Sequence, residues 1–153
     1  MNSLLIHEAV LTDPAAALLI RLSQAWEAEN SCHGYRQNGP EDLAGRRVWL
    51  AERNGETVGY LFGIAESASF SSTVMEKGAP CFEIEEIYVV PACRGQGVGQ
   101  SLFRAAEAAL RQEGNTAFLT LSTATKNWRA ILHFYLDELG MTFWNARLFK
   151  PLK

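Results

Sequence analysis

Cysteine is scarce in this chain: Cys32, Cys81 and Cys93 are few, odd in number and far apart. Such a set builds no disulfide framework and lacks the paired spacing of a zinc site, so no metal is expected and a reducing, cytoplasmic setting is. Long apolar runs are missing too. None approaches the roughly 18 residues of a membrane span, and the opening MNSLLIHEAV has no basic region ahead of its apolar residues, so no membrane role is expected. Nor is there an excess of positive charge: 14 Lys and Arg stand against 17 Asp and Glu, a net of −3. A field able to wrap nucleic acid is therefore absent. No G-x-S-x-G elbow occurs, and His7, His33 and His133 have no Ser/Asp arrangement near them in sequence, which removes the serine-hydrolase pattern.

What remains is an ordinary globular composition, 48% hydrophobic in 153 residues, without repeats, linkers or low-complexity segments. One domain over residues 1–153 is predicted, large enough to bury a core unaided. SLLIHEA reads as a strand. TDPAAALLIRLSQAWEAE reads as a helix, with Thr12 or Asp13 as cap, Pro14 in its first turn and Ala15, Leu18, Leu19, Leu22 and Trp26 on one face. A polar, turn-rich stretch follows, a loop or a short broken helix. RRVWLAERNGETVGYLFGIAE is a hairpin about Asn54-Gly55, two residues that tolerate the positive φ of a tight turn. CFEIEEIYVV is a long strand, and Val98 to Glu113 a helix stopped by Gly114. TAFLTLST is a strand, NWRAILHFYLDEL a helix ended by Gly140, and MTFWNARLFK a closing strand. The order predicts an α/β fold: a mixed sheet of about six or seven strands flanked by about four helices.

Between the long strand and its helix lies VVPACRGQGVGQSLF, with Gly95, Gly97 and Gly99 beside Arg94. It is not a Walker loop, since Gln100-Ser101 follows Gly99 where Lys-Ser/Thr is needed, and G-x-G-x-G is not the dinucleotide spacing. The physics of an anion cradle survives both exclusions. Glycines bare the backbone N–H groups, the helix start aims more of them, and Arg94 adds a charge-assisted contact. A plain strand-to-helix turn is the competing reading.

Arg94-Gly95-Gln96-Gly97-Val98-Gly99 resembles the R/Q-x-x-G-x-G/A signature of the GNAT superfamily of acyl-CoA-dependent N-acyltransferases. AILHFYLDELGM resembles that family's later F-Y-x-x-x-x-G-F/M segment, and the resemblance runs over residues 46–141. It implies an N-acetyltransferase that moves acetyl from acetyl-CoA, with no metal, to a primary amine of a small molecule or peptide. Alternatives are a non-catalytic acyl-CoA-binding regulator on the same fold, or a nucleotide- or phosphate-binding module.

By that resemblance the amides of Gly95, Gln96, Gly97, Val98, Gly99 and Gln100 hold the pyrophosphate, and the backbone of Ile87, Tyr88 and Val89 pairs with the pantetheine arm. The arm enters where this strand splays from residues 117–122, and an amide near Val89 polarises the thioester carbonyl. Tyr135 takes the place of the acid that protonates the leaving thiolate, although it also lies on its helix's apolar stripe. The proton acceptor is expected from EIEE, at Glu85 first and Glu83 second. These two share a strand face, and Glu86 points away unless a bulge intervenes. Asn127 departs from the family pattern, lying eight rather than seven residues before the Tyr, and is either a cofactor contact or an N-cap. Cys93 beside Arg94 is expected to be oxidation-prone. The loops 26–39 and 66–80 flank the acceptor side, where Glu27, Glu29, Tyr35 and Glu66 suit a cationic amine. The closing MTFWNARLFKPLK offers an edge for a homodimer.

Overall fold

The computed structural model describes residues 3–153. Five strands form one sheet in the order β1-β2-β3-β4-β5: β1 Leu4–Ala9, β2 Arg47–Arg53, β3 Glu56–Ser67, β4 Pro80–Val89 and β5 Phe118–Leu121. The first four pair antiparallel in sequence, and β5 joins β4 parallel. The helices are α1 Asp13–Glu29, the single turn α2 Pro40–Leu43, α3 Val98–Glu113 and α4 Trp128–Leu132, which runs on into a π-helical turn, His133–Glu138.

Local chemistry sets most boundaries. Thr12 Oγ1 accepts the Ala15 N–H at the start of α1, and Asn30 ends that helix in the left-handed region. Asn54 and Gly55, at φ 53° and 77°, make the hairpin turn between β2 and β3. Gly114 closes α3 in the left-handed conformation.

Helices cover both faces of the sheet, so its central strands read as continuous apolar runs rather than alternating ones. Trp49, Ala51, Leu61, Phe82 and Ile84 face α3, whose stripe of Val98, Leu102, Phe103, Ala106 and Leu110 is buried. Val48, Leu50, Tyr60, Phe62 and Tyr88 face the other way, against Leu19 of α1 and Leu43 of α2. Within the described residues no helix is long and apolar enough to cross a membrane.

The strand count is five, not the expected six or seven, because residues 142–153 form no strand. Their apolar side chains come in adjacent pairs, Phe143-Trp144 and Leu148-Phe149, so alternation cannot put them all on one buried face. Those four and Leu152 are exposed.

The register between β3 and β4 contains the irregularity that shapes the site. Phe62 lies opposite Glu86 and Gly63 opposite Ile84, so Glu85 is an extra residue on β4. A Cβ on Gly63 would sit 2.2 Å from the Glu83 carbonyl oxygen, so only glycine lets the strands close over this bulge.

Candidate functional site

The open edge of β4 comes first. Val90 N–H donates to Val58 O across the β3 side at 2.9 Å. Antiparallel alternation therefore turns the backbone groups of Tyr88 toward β3 and those of Ile87 and Val89 away from it. On that far side β5 pairs only with Cys81 to Ile84 and stops at Leu121. From Glu85 onward no strand among the described residues flanks β4 on that side, so Ile87 and Val89 present backbone to a gap. Of the three residues expected to line it, Tyr88 is the one whose backbone faces elsewhere.

The gap leads to the glycine loop. Gly95 and Gly97 have φ of 72° and 82°, which a residue with a Cβ rarely adopts. Gly97 is the N-cap of α3, and no side chain caps that end. The first turn's amides, including Val98, Gly99 and Gln100, are thus unspent within the helix and aimed at one region, the arrangement that binds anions. Gln96 braces the loop from behind, donating to Ala92 O at 3.1 Å and accepting from Arg53 at 2.6 Å.

Arg94 is engaged within the protein. Its two terminal nitrogens grip Glu29 at 2.7 and 2.9 Å, and its Nε donates to Val89 O at 2.8 Å. Tyr88 donates its hydroxyl to the same Glu29 carboxylate at 3.0 Å. Burial pushes the Glu29 carboxyl up, but the hydrogen bonds from Arg94 and Tyr88 and the guanidinium charge outweigh it and leave it below the ordinary carboxylate value.

The three strand carboxylates have three different fates. Glu85 is bound by Arg46 through two contacts of 2.7 and 3.1 Å. Glu83 accepts the Thr120 hydroxyl. Glu86, turned onto the α1 face by the bulge, is half-buried. Its Oε1 accepts from Tyr60 at 2.8 Å, Tyr35 at 2.9 Å and Asn38 at 3.0 Å. Burial raises its pKa above the ordinary value against the pull of these neutral donors. The bulge puts Glu86 on the face opposite to the one that strict alternation gives it. The signal was Gly63 inside an otherwise bulky run, a glycine where β-strands often bulge.

Tyr135 lies within the π-helical turn, where Leu139 N–H reaches back to Phe134 O at 3.0 Å. A π turn holds more residues than an α turn, which suits the one-residue excess between Asn127 and Tyr135. Burial pushes the Tyr135 phenol up to about 12, with the Cys32 thiol adding to it, so it is protonated at neutral pH. Its hydroxyl has no hydrogen-bond partner among the described residues. Asn127 is the N-cap of α4 through its backbone, its carbonyl accepting Ile131 N–H at 3.2 Å, and its side chain makes no cap bond. Cys93 is half-buried in the short turn Pro91–Cys93, packed against the α3-side core.

Of the acceptor-side residues, Tyr35 reaches Glu86, Glu29 holds Arg94, and Glu27 accepts the Gln37 N–H. Glu66 lines a cavity of about 170 Å³ together with Phe70, Met75, Cys81, Thr120 and Trp144.

No curated protein gives a significant match. Solved structures do. An aminoglycoside acetyltransferase from an uncultured soil metagenomic sample is similar at 20% identity and TM-score 0.69, over 98% of this chain and 97% of that one. A predicted acetyltransferase with acetyl-CoA from Clostridium acetobutylicum has 17% identity and TM-score 0.68 over 98% and 97%. A transcriptional regulator from Bacillus halodurans has 19% identity and TM-score 0.69 over 98% and 100%. At such identities the likeness establishes the fold. The sequence pattern of the Acetyltransferase (GNAT) family matches residues 16–141, taking in most of α1, the bulged strand, the glycine loop and Tyr135. This chain belongs to the GNAT acetyltransferase family.

Proposed function

We propose that this protein is an N-acetyltransferase that moves the acetyl group of acetyl-CoA to a primary amine of a small molecule or peptide by direct attack. The observation that carries the reading is the continuity of the open β4 edge with the uncapped, glycine-led start of α3. A strand edge suits an amide-bearing arm and a helix N-terminus suits a pyrophosphate, so the residues present fit acetyl-CoA. Acetyl-CoA supplies an activated thioester.

Gly95, Gln96, Gly97, Val98, Gly99 and Gln100 bind the pyrophosphate through main-chain amides, with Arg94 acting from behind the loop. Ile87 and Val89 align the arm, and their N–H groups are the oxyanion donors. Asn127, with its side chain unspent at the start of α4, adds a contact to the arm. Tyr135, protonated and unpartnered, gives its proton to the leaving sulfur.

The proton of the attacking amine goes to Glu86, directly or through water. Glu85 suits this role less, because Arg46 grips both of its oxygens, and Glu83 lies on the other side of the bulge, bound to Thr120. The similarity to an aminoglycoside acetyltransferase supports a cationic, amine-bearing acceptor. Exposed apolar residues of the segment 142–153 support a homodimer, and the free thiols support a cytoplasmic setting.

Thermal melting with acetyl-CoA, CoA, ATP and NAD tests the cofactor. Ligand at about 100 times Kd stabilises by about 2.7 kcal/mol, so a rise with the two CoA species alone is expected. Thiol release across a panel of polyamines, aminoglycosides and N-terminal peptides then finds the acceptor. Indifference to CoA would refute the proposal.

A further inference from the structure

Helix α1 ends in Glu29, and the next residues, 31–39, form the loop that delivers Tyr35 and Asn38 to Glu86. The same Glu29 carboxylate holds Arg94, the first residue of the glycine loop. Between these points the packing is unbroken. Tyr35 stacks on Trp26 with centroids 4.3 Å apart, and Trp26 stacks on Tyr88 at 5.4 Å. Tyr88 donates to Glu29 and lies under the Arg94 guanidinium, 5.5 Å from it. Arg94 in turn ties down Val89 O on the open edge. The loop has its own anchors besides: Asn38 N–H donates to the buried Ser23 hydroxyl at 3.0 Å, and His33 N–H to Ala124 O at 2.9 Å.

We propose that Glu29 is a positioning residue: its pair with Arg94 couples the cofactor loop to the acceptor loop, so that filling the first tightens the second. The inference rests on the acetyl-CoA reading of the glycine loop. An arginine with three hydrogen bonds inside the protein acts as a brace. A bidentate guanidinium–carboxylate pair fixes orientation as well as distance. Any shift of residues 94–97 as the amides close on an anion is therefore handed to Glu29. From there it reaches the last turn of α1 and the stack beneath Tyr35. The pair is a contiguous physical link between two sites, and the coupling it carries is measurable.

Hydrogen exchange with and without saturating CoA, followed by mass spectrometry, reads that coupling without any acceptor. In the parent, CoA slows exchange in residues 94–100 and, at least about fivefold, in residues 31–39. In Glu29→Gln the protection at 94–100 remains and the response at 31–39 is lost, and Arg94→Gln behaves the same way. The pair is partly exposed, so both variants stay folded, which melting curves check. A response at 31–39 that survives in either variant overturns the proposal, as does its absence from a parent that is protected at 94–100. A parent unprotected at 94–100 sinks the acyl-CoA reading itself.

Discussion

The Tyr60 hydroxyl on β3 donates to Glu86 Oε1 on β4 at 2.8 Å, and this contact exists because β4 carries one extra residue at Glu85. Without the bulge at Glu85, alternation would send Glu86 to the α3 face, away from Tyr35, Asn38 and Tyr60. Five predictions follow from this arrangement and its surroundings.

Replacing Glu86 by Gln separates activity from stability. The Glu86 pKa is higher folded than unfolded, so the native state binds its proton more tightly. The stability from that proton is complete below the ordinary carboxylate pKa and is lost as pH rises through the raised value. Glu86→Gln should therefore melt higher than the parent at neutral pH, with the gain vanishing under acid conditions. Turnover should fall about 10²-fold or more, within the usual range for a lost general base. Melting curves and rates across pH check both arms.

Tyr135→Phe removes the unpartnered hydroxyl and little else. The expected loss in kcat is about 10²–10⁴-fold. Acetyl-CoA affinity, measured by calorimetry, should be unchanged. Full turnover in this variant would take the acid role away from Tyr135.

Gly63→Ala should cost stability and activity together. The new Cβ meets the Glu83 carbonyl oxygen at 2.2 Å, a backbone atom that cannot step aside cheaply. Overpacking of this kind costs about 1–3 kcal/mol, and relief by straightening the strand would carry Glu86 with it. Denaturant unfolding beside an activity assay tests the pairing of the two losses.

Arg46→Ala removes the ion pair that holds Glu85. The pair is surface-lying, so stability should drop by no more than about 1 kcal/mol. If Glu86 accepts the proton, the pH–rate profile should keep its midpoint. A profile that moves to follow Glu85 would transfer the role.

The segment 142–153 should drive self-association. Replacing Phe143, Leu148 and Phe149 by Ser removes three exposed apolar side chains that make no core contact. Sedimentation should report a dimer for the parent and a monomer for the variant, with the melting temperature little changed. A monomeric parent would refute the homodimer.

Much of this protein was legible in its residues. The Thr12 cap, the Asn54-Gly55 turn, the α3 stripe and the glycine loop are local: their signals lie within a few residues of the structure they specify, and the structure has them there. The five-stranded count was less legible, because the closing segment has strand-forming residues without the alternation to bury them.

Long-range relationships were decided in three dimensions. Sequence alone placed Arg94 beside an anion cradle, since nothing local says that Glu29, 65 residues earlier, will take its guanidinium. It preferred Glu85 over Glu86, because strict alternation is the only rule a single strand offers. The bulge that turns Glu86 onto the α1 face depends on Gly63 of the neighbouring strand, and Arg46, which holds Glu85, arrives from 39 residues away. The sequence by itself determined most of the strands and helices and the left-handed glycine turn ahead of α3, because those follow from neighbouring side chains and backbone freedom. That Arg46 grips Glu85 while Glu86 turns inward to Tyr35, Asn38 and Tyr60 depended on register and packing between strands, and only the tertiary structure decided that.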